Sequence, residues 1–310
     1  MTEPDLQGVA RSGFACFVGR PNAGKSTLTN ALVGQKVAIT SGRPQTTRHT
    51  VRGIVNRPDA QLVLVDTPGL HRPRTLLGER LNTLVRDTLT EVDVVAFCLP
   101  SDQKVGPGDR YIARELASVM RGRRGTPVVA VATKSDLVGK ERLAQHLLDV
   151  AALGDWADVV PVSATRGDQV DVVADVLVSH LPPGPVLYPD GELTDEPEQV
   201  MVAERVREAA LEGVRDELPH SLAVVVDEIE LRPDRDEEHR LLDVRVTLYV
   251  ERDSQKAIVI GRGGSRLRAV GTEARRGIEA LLGDRVFLDL RVKVAKDWQR
   301  DPKQLQRLGF

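Results

Sequence analysis

Gly19-Arg20-Pro21-Asn22-Ala23-Gly24-Lys25-Ser26 has the spacing G-x-x-x-x-G-K-[ST], between the apolar run Phe14–Val18 and a helix-compatible stretch, Thr27–Val33. A triphosphate bound by such a segment must be wrapped by backbone N–H groups, and glycine lets a chain approach that closely without a Cβ clash. Lys25 then extends a cation toward the β and γ phosphates, Ser26 offers a hydroxyl to Mg²⁺, and the helix that follows points its positive end at the anion. The octapeptide alone could arise in any glycine-containing turn. The strand before it and the helix after it argue for a nucleoside-triphosphate site.

A second apolar run, Leu62–Val65, delivers Asp66-Thr67-Pro68-Gly69. A carboxylate at the end of a buried strand can hold Mg²⁺ through water, and the Gly69 N–H can bond a γ-phosphate and report its loss. A third β-rich run, Thr126–Ala132, ends in Thr133-Lys134-Ser135-Asp136. The aspartate can accept hydrogen bonds from N1–H and the exocyclic amine of guanine, which adenine cannot offer together. Lys134 is expected to pack its stem over the base. Val159–Val162 predicts one more strand, after which the backbone of Ser163-Ala164-Thr165 can address guanine O6.

Together these motifs resemble the GTPase branch of the phosphate-loop enzymes, with guanine selectivity carried by Asp136. Thr133 stands where that branch usually has Asn, a change that predicts a weaker tie between base box and phosphate loop. Gln45-Thr46-Thr47-Arg48-His49 lies in the first switch. Thr47 is taken as the second Mg²⁺ hydroxyl beside Ser26 and Asp66; its neighbour Thr46 is set aside only through resemblance to the Thr-Arg-Asp/His form of this switch. Ras-type GTPases place a water-orienting glutamine directly after Asp-x-x-Gly. Here that residue is Leu70, which has no hydrogen bond to offer. The chain therefore resembles GTPases with a hydrophobic residue at that position, in which a phosphate-loop Asn is associated with a monovalent cation in the arginine-finger role. Asn22 matches, so K⁺ is expected as a hydrolysis activator.

The chain has 310 residues, 41% of them apolar and 28% charged, the balance of a globular protein of roughly two domains. Aromatics make up only 3%, which argues against a nucleic-acid binder built on stacking platforms. No apolar run approaches the roughly 20 residues that span a bilayer, and Met1–Ser12 lacks a basic segment followed by an apolar one, so a cytoplasmic protein is expected. Cys16 and Cys98 fall in predicted strands and are expected to be small buried apolar residues, without a disulfide or metal role.

Apolar runs at 14–18, 62–65, 93–99, 127–132 and 159–162 alternate with helical patterns. This predicts an α/β phosphate-loop domain with a mainly parallel sheet over 13–181, after a short tail, 1–12. Ligands of such sheets bind at the strand ends, where the motifs fall. The stretch 182–198, rich in Pro, Gly and acidic residues, reads as a linker.

Residues 199–310 form a second domain. A helical pattern through Val202, Val206, Ala209, Ala210 and Val214 is expected to stop at Pro219, followed by strands Leu222–Leu231 and Leu241–Val250 with a long tip between them. Next come Ile258-Val259-Ile260, Gly261-Arg262-Gly263-Gly264, a helix carrying Leu267, Val270, Ala274, Ile278 and Leu281, and a strand Val286–Val294. Gly-x-x-Gly between helices lets backbone amides clamp a nucleic-acid backbone, and αββααβ is the order of a type II KH module, an α+β fold. Residues 201–255 hold 8 Lys/Arg against 15 Asp/Glu, a net −7, whereas 256–310 hold 13 against 6, a net +7. A single-sign field over the clamp half attracts phosphates. Arg262, Arg266 and Arg268 are the expected backbone contacts, with Lys256 a weaker one, while Arg275 and Arg276 are read as solvated surface.

Over almost its full length the chain resembles the bacterial Era GTPase family, through Pro-Asn-x-Gly-Lys-Ser, Gln-Thr-Thr-Arg-His, Asp-Thr-Pro-Gly-Leu-His, Pro219-His220-Ser221-Leu222-Ala223-Val224 and Val292-Lys293-Val294. The resemblance implies hydrolysis of GTP to GDP and phosphate with Mg²⁺. It also implies binding of the 3′ end of 16S rRNA through the KH domain, a role in 30S ribosomal subunit assembly, peripheral membrane association, and a monomer. Two other readings stand beside it: a switch acting through a protein partner, and a GTPase of tRNA modification.

Overall fold

In the computed structural model, which describes residues 10–310 apart from 42, 44–45, 74, 122–124, 213–220 and 234–239, strand β1 (Arg11–Gly19) buries both its faces. Ala15 and Phe17 enter one apolar cluster, Cys16 and Val18 the other. A strand apolar on both sides needs helices above and below it. The elements that follow supply them: α1 (Lys25–Val33), β2 (Val51–Arg57), β3 (Ala60–Asp66), α2 (Leu76–Glu91), β4 (Val94–Pro100), α3 (Pro107–Arg121), β5 (Val128–Thr133), α4 (Lys140–Ala151), β6 (Asp158–Pro161) and α5 (Val170–Ser179). The sheet order is β2-β3-β1-β4-β5-β6, parallel except for β2.

Strand β2 is absent from the sequence expectation. Its apolar residues, Val51, Ile54 and Val55, do not alternate cleanly, and Gly53 and Asn56 dilute them. The usable signal was the turn Pro58-Asp59, which pairs Arg57 with Ala60 across an antiparallel hairpin.

The stretch read as a linker is pinned to this same part of the sheet. Gln61 Oε1 accepts from the N–H groups of Leu187 (2.7 Å) and Tyr188 (2.8 Å), Ile54 N donates to Leu193 O at 2.9 Å, and Arg52 pairs with Asp195 at 2.8 Å. Edge-strand donors and acceptors need partners, and this segment provides them.

The chain divides into two compact units. The described residues of the first fall within Met1–Thr40, Thr47–Arg72 and Leu81–Asp195; those of the second fall within Ser41–Thr46, Pro73–Arg80 and Glu196–Phe310. The second unit contains α6 (Glu198–Leu211), β7 (Ala223–Leu231), β8 (Leu241–Val250), α7 (Asp253–Ile260), α8 (Ser265–Leu282), β9 (Arg285–Val294) and a terminal turn of helix, α9 (Pro302–Arg307). Its sheet, β7-β8-β9, pairs β8 antiparallel to β7 and parallel to β9. Val244, Val246, Leu248 and Val250 line one face and share a cluster with Val202 and Val206 of α6 and Val270, Ala274 and Ile278 of α8. Period 2 meets period 3.6, which closes the core. Residues 295–310 fold onto the same unit: Trp298 is fully buried, donates Nε1–H to Ser221 O at 3.0 Å, and stacks on Phe310. Val214 and Pro219, the expected end of α6, lie outside the described residues, as does the hairpin tip 234–239.

Both cysteines are fully buried, and burial pushes their thiols up, Cys98 to about 12. Among the described residues no group of three or more His, Cys, Asp or Glu could hold a metal, and no helix is long and apolar enough to cross a membrane.

Candidate functional site

Parallel pairing sets the phosphate site. The register places Phe17 opposite Asp66 and Gly19 opposite Cys98, so the ends of β1 and β3 stop side by side while β4 departs on the other flank of β1. Strand order reverses at β1, and the crevice at such a reversal is where open α/β sheets bind ligands. Gly24 is the N-cap of α1, whose first-turn N–H groups have no partner within the helix.

Three oxygens converge there. Ser26 Oγ lies 2.6 Å from Asp66 Oδ2 and 2.9 Å from Thr47 Oγ1, and Thr47 Oγ1 lies 3.1 Å from the same carboxylate oxygen. Asp66 is fully buried, and its Oδ1 has no hydrogen-bond partner among the described residues. Two hydroxyls and a carboxylate with one oxygen unsatisfied are hard ligands, the donor set that suits Mg²⁺ with phosphate and water completing its shell. Thr46 is engaged elsewhere: its hydroxyl lies 2.6 Å from both Ser41 Oγ and Arg43 O. Between the two threonines, the structure brings Thr47 to Ser26 and Asp66.

Lys25 is buried, with Nζ 3.3 Å from the Arg20 carbonyl. Burial pushes its ammonium below the usual lysine range, opposed by the charge of Asp66. Burial likewise pushes the Asp66 carboxyl up, opposed by Lys25 and then by the hydrogen bonds from Ser26, Thr47 and the Thr67 N–H. Each charge is short of compensation. A phosphate group beside Lys25 and a cation beside Asp66 would supply it.

Gly69 lies against the phosphate loop: a Cβ there would sit 2.6 Å from Pro21 N, so any other residue would push the two backbones apart. Thr67 Oγ1 anchors the turn by donating to Phe17 O at 2.6 Å, and Pro68 is buried beside it. Leu70 N donates to Gly19 O at 3.1 Å while its side chain, 2% exposed, packs in the cluster containing Val85 and Leu89. No hydrogen-bonding side chain occupies the place of the catalytic glutamine. His71, quoted in the sequence motif but given no role there, is the next polar residue, with Nδ1 3.0 Å from Gly69 O.

The base box departs from expectation in an instructive way. Thr133 Oγ1 donates to Ala23 O at 2.6 Å in a buried setting, so the hydroxyl itself ties the box to the phosphate loop. The tie expected to weaken is present because threonine on β5 ends close enough for a short side chain to span the gap. Lys134 adopts a left-handed conformation, φ 57°, and a 3₁₀ turn, Ser135–Leu137, presents a half-buried Asp136. Lys134 Nζ lies 3.6 Å from Asp102. Ser135 N donates to Val162 O at 3.1 Å, which brings the box beside Ser163 and Ala164.

Other assigned residues sit as follows. Asn22 is exposed, in a left-handed conformation at φ 63°, and Thr27 is in the first turn of α1. The Arg20 side chain turns to Asp109, 1% exposed, at 2.7 Å near the start of α3, leaving its backbone for the phosphate loop. That ion pair had no signature in the sequence. Arg48 is buried and His49 half-buried; Gln45 lies outside the described residues. In the second unit, the buried Arg207 of α6 is held by Glu204 at 2.5 Å and donates to the Thr46 carbonyl, a second contact unread in the sequence.

The clamp joins α7 to α8. Gly263 and Gly264 take φ of 57° and 75°, which glycine adopts without a Cβ penalty, and Gly264 N bonds Gly261 O at 3.1 Å. Arg262 is exposed beside them and Lys256 half-buried on α7. Arg268 Nη2 donates to Gly263 O at 2.9 Å and so braces the loop. Arg266, expected as a backbone contact, donates its Nη2 to Glu212 O at 2.6 Å and Ala210 O at 3.3 Å, closing the carbonyl end of α6. A groove of about 530 Å³ runs from Gly263 and Gly264 past Leu267 and Gly271 to Leu288 and Leu290. Arg275, read as solvated surface, lines it, as does Phe287, 54% exposed. A larger cavity of about 990 Å³ lies around Met120, Leu153 and Trp156 at the amino ends of β5 and β6, away from every motif.

Comparison with known proteins matches both units. The family described as 50S ribosome-binding GTPase matches residues 14–134, and the KH domain family matches 217–299. GTPase Era of Streptomyces coelicolor is 67% identical over 100% of this chain and 98% of its own length; that of Mycolicibacterium smegmatis is 67% identical over 97% and 99%. Among solved structures, an Era in complex with MgGDPNP and nucleotides 1506–1542 of 16S ribosomal RNA superposes with a TM-score of 0.91 at 33% identity, covering 97% of this chain and 99% of that one. A point variant of Aquifex aeolicus Era bound to GDP·AlF₄⁻ gives 0.90 at 33% identity, over 96% and 99%.

Proposed function

The chain belongs to the Era GTPases, and from that premise we propose that it couples GTP hydrolysis to a grip on the 3′ end of 16S rRNA during assembly of the 30S ribosomal subunit. The observation that carries the nucleotide half is the Ser26–Thr47–Asp66 triangle with its orphaned Asp66 Oδ1. Ser26, Thr47 and Asp66 would hold Mg²⁺, which when bound neutralises charge on the phosphates. Lys25 binds the β and γ phosphates, backbone N–H groups within 19–27 other than that of the imino acid Pro21 wrap them, and Gly69 N–H senses the γ group. Asp136 selects guanine.

Leu70 leaves water orientation and charge neutralisation to other groups. Asn22 is the residue proposed to hold K⁺, which would neutralise charge on the phosphates. Turnover is expected to be several-fold faster in K⁺ than in Na⁺ buffer, and equal rates would remove K⁺ from the scheme. Ordering of Thr47 and Gly69 by the γ-phosphate is proposed to favour the RNA-binding state, and hydrolysis to reverse it.

On the RNA side, Gly261, Arg262, Gly263 and Gly264 form the clamp, with Lys256 and Arg268 adding charge and Arg266 acting through α6. The protein is proposed to work as a cytoplasmic monomer with peripheral membrane association, readable by sedimentation and fractionation. Fluorescence anisotropy of labelled 16S 3′-end RNA, titrated with the GDPNP-loaded chain, tests the RNA half: Gly263→Asp is expected to weaken the binding that the wild type shows by at least about tenfold.

A further inference from the structure

A glycine in the middle of a helix costs stability relative to alanine, because it leaves the unfolded backbone freer and buries no side chain. Gly271 is the seventh residue of α8, an 18-residue helix. Among the described residues, and apart from its own helix's backbone, a Cβ there would meet one neighbour within 4 Å, Leu290 Cδ1, at 3.5 Å, an ordinary van der Waals distance. Its backbone is outside the positive-φ region that strains other residues.

The space left open belongs to the clamp groove. Gly271 lines it between Leu267 on its own helix and Leu288 and Leu290 on β9, with Arg268 and Arg275 supplying cations. An apolar slot bordered by cations, opening from a Gly-x-x-Gly loop, suits a flat nucleobase whose phosphate lies on the loop. Gly277, on the same helix, makes a matched comparison. It is absent from the groove lining, and its Cβ would meet Arg205 Cδ at 3.4 Å, the stem of a long side chain.

We infer that Gly271 is a positioning residue for RNA, keeping the groove floor deep enough for a base at the expense of helix stability. This rests on the RNA reading of the clamp given above. The consequence is a pair of effects with opposite sign: a side chain at 271 should make the fold more stable and the complex weaker.

The test uses the full chain, with Gly271→Ala, Gly271→Leu, Gly277→Ala and Gly263→Asp compared by calorimetry and by anisotropy against fluorescent RNA of nucleotides 1506–1542 of 16S rRNA. Gly271→Ala is expected to raise the melting temperature of the second unit by about 2–5 °C and to weaken RNA binding about tenfold. Gly271→Leu should weaken it further, and Gly277→Ala should leave affinity unchanged. Basal GTP hydrolysis should stay at the wild-type rate in both Gly271 variants. If Gly271→Ala binds RNA like the wild type while Gly263→Asp does not, the inference is overturned and the clamp reading stands. If neither variant changes affinity, both are overturned. A lowered melting temperature in Gly271→Ala also overturns the inference, since weaker binding would then follow from damaged structure.

Discussion

The two sites are built on opposite principles. At the phosphate site Thr47 and Asp66 are buried, Ser26 is half-buried, and the three are bonded to one another in a closed triangle. At the clamp the loop is exposed, its glycines supply shape, and Arg268 serves the loop itself. One site is preorganised by desolvated polar groups, the other by backbone conformation and a cavity. Single substitutions should therefore be far more damaging at the first than at the second.

Lys25→Ala removes the buried cation of the first site and should lower kcat by about 10²–10³-fold, while RNA binding by the nucleotide-free chain stays within about twofold. Equal loss of both functions would show that the sites are not separable. Gly263→Asp makes the mirror-image change, placing a negative charge on the clamp. Its RNA dissociation constant should rise at least about tenfold, with hydrolysis unchanged. Of the two switch threonines, Thr47→Ala should weaken Mg²⁺-dependent nucleotide binding by about tenfold, measured by fluorescent-nucleotide titration, and Thr46→Ala by much less. The reverse ranking would contradict the assignment of the metal hydroxyl. A modest effect is expected at Thr133: Thr133→Val removes the hydroxyl's bond to the Ala23 carbonyl and should weaken GDP binding by about five- to tenfold, with Thr133→Asn close to wild type.

What was legible follows the same division. Residues 19–26, Asp66, Thr133–Asp136 and Ser163 could be read because their chemistry sits in contiguous motifs at the ends of apolar strands, and parallel pairing does the rest. The side chains that reach sideways could not. Arg20 finds Asp109 across 89 residues, and Arg266 finds the α6 carbonyls across more than 50, where no local pattern links the partners. Thr46 and Thr47 are chemically alike, and only the fold turns one toward Asp66. Strand β2 was hidden by Gly53 and Asn56, and the stretch after 181 showed its loop composition but not its hydrogen bonds to Gln61. At the clamp, Gly261–Gly264 and the charge reversal were visible. The groove was not, because its floor combines Gly271 with Leu288 and Leu290 from a different element.

The coupling of nucleotide to RNA is tested most directly by one titration: labelled 16S 3′-end RNA against the full chain with Mg²⁺, once with GDPNP and once with GDP. Saturable binding that is at least several-fold tighter with GDPNP is the predicted result. Identical curves in the two nucleotide states, or no binding in either, would contradict it.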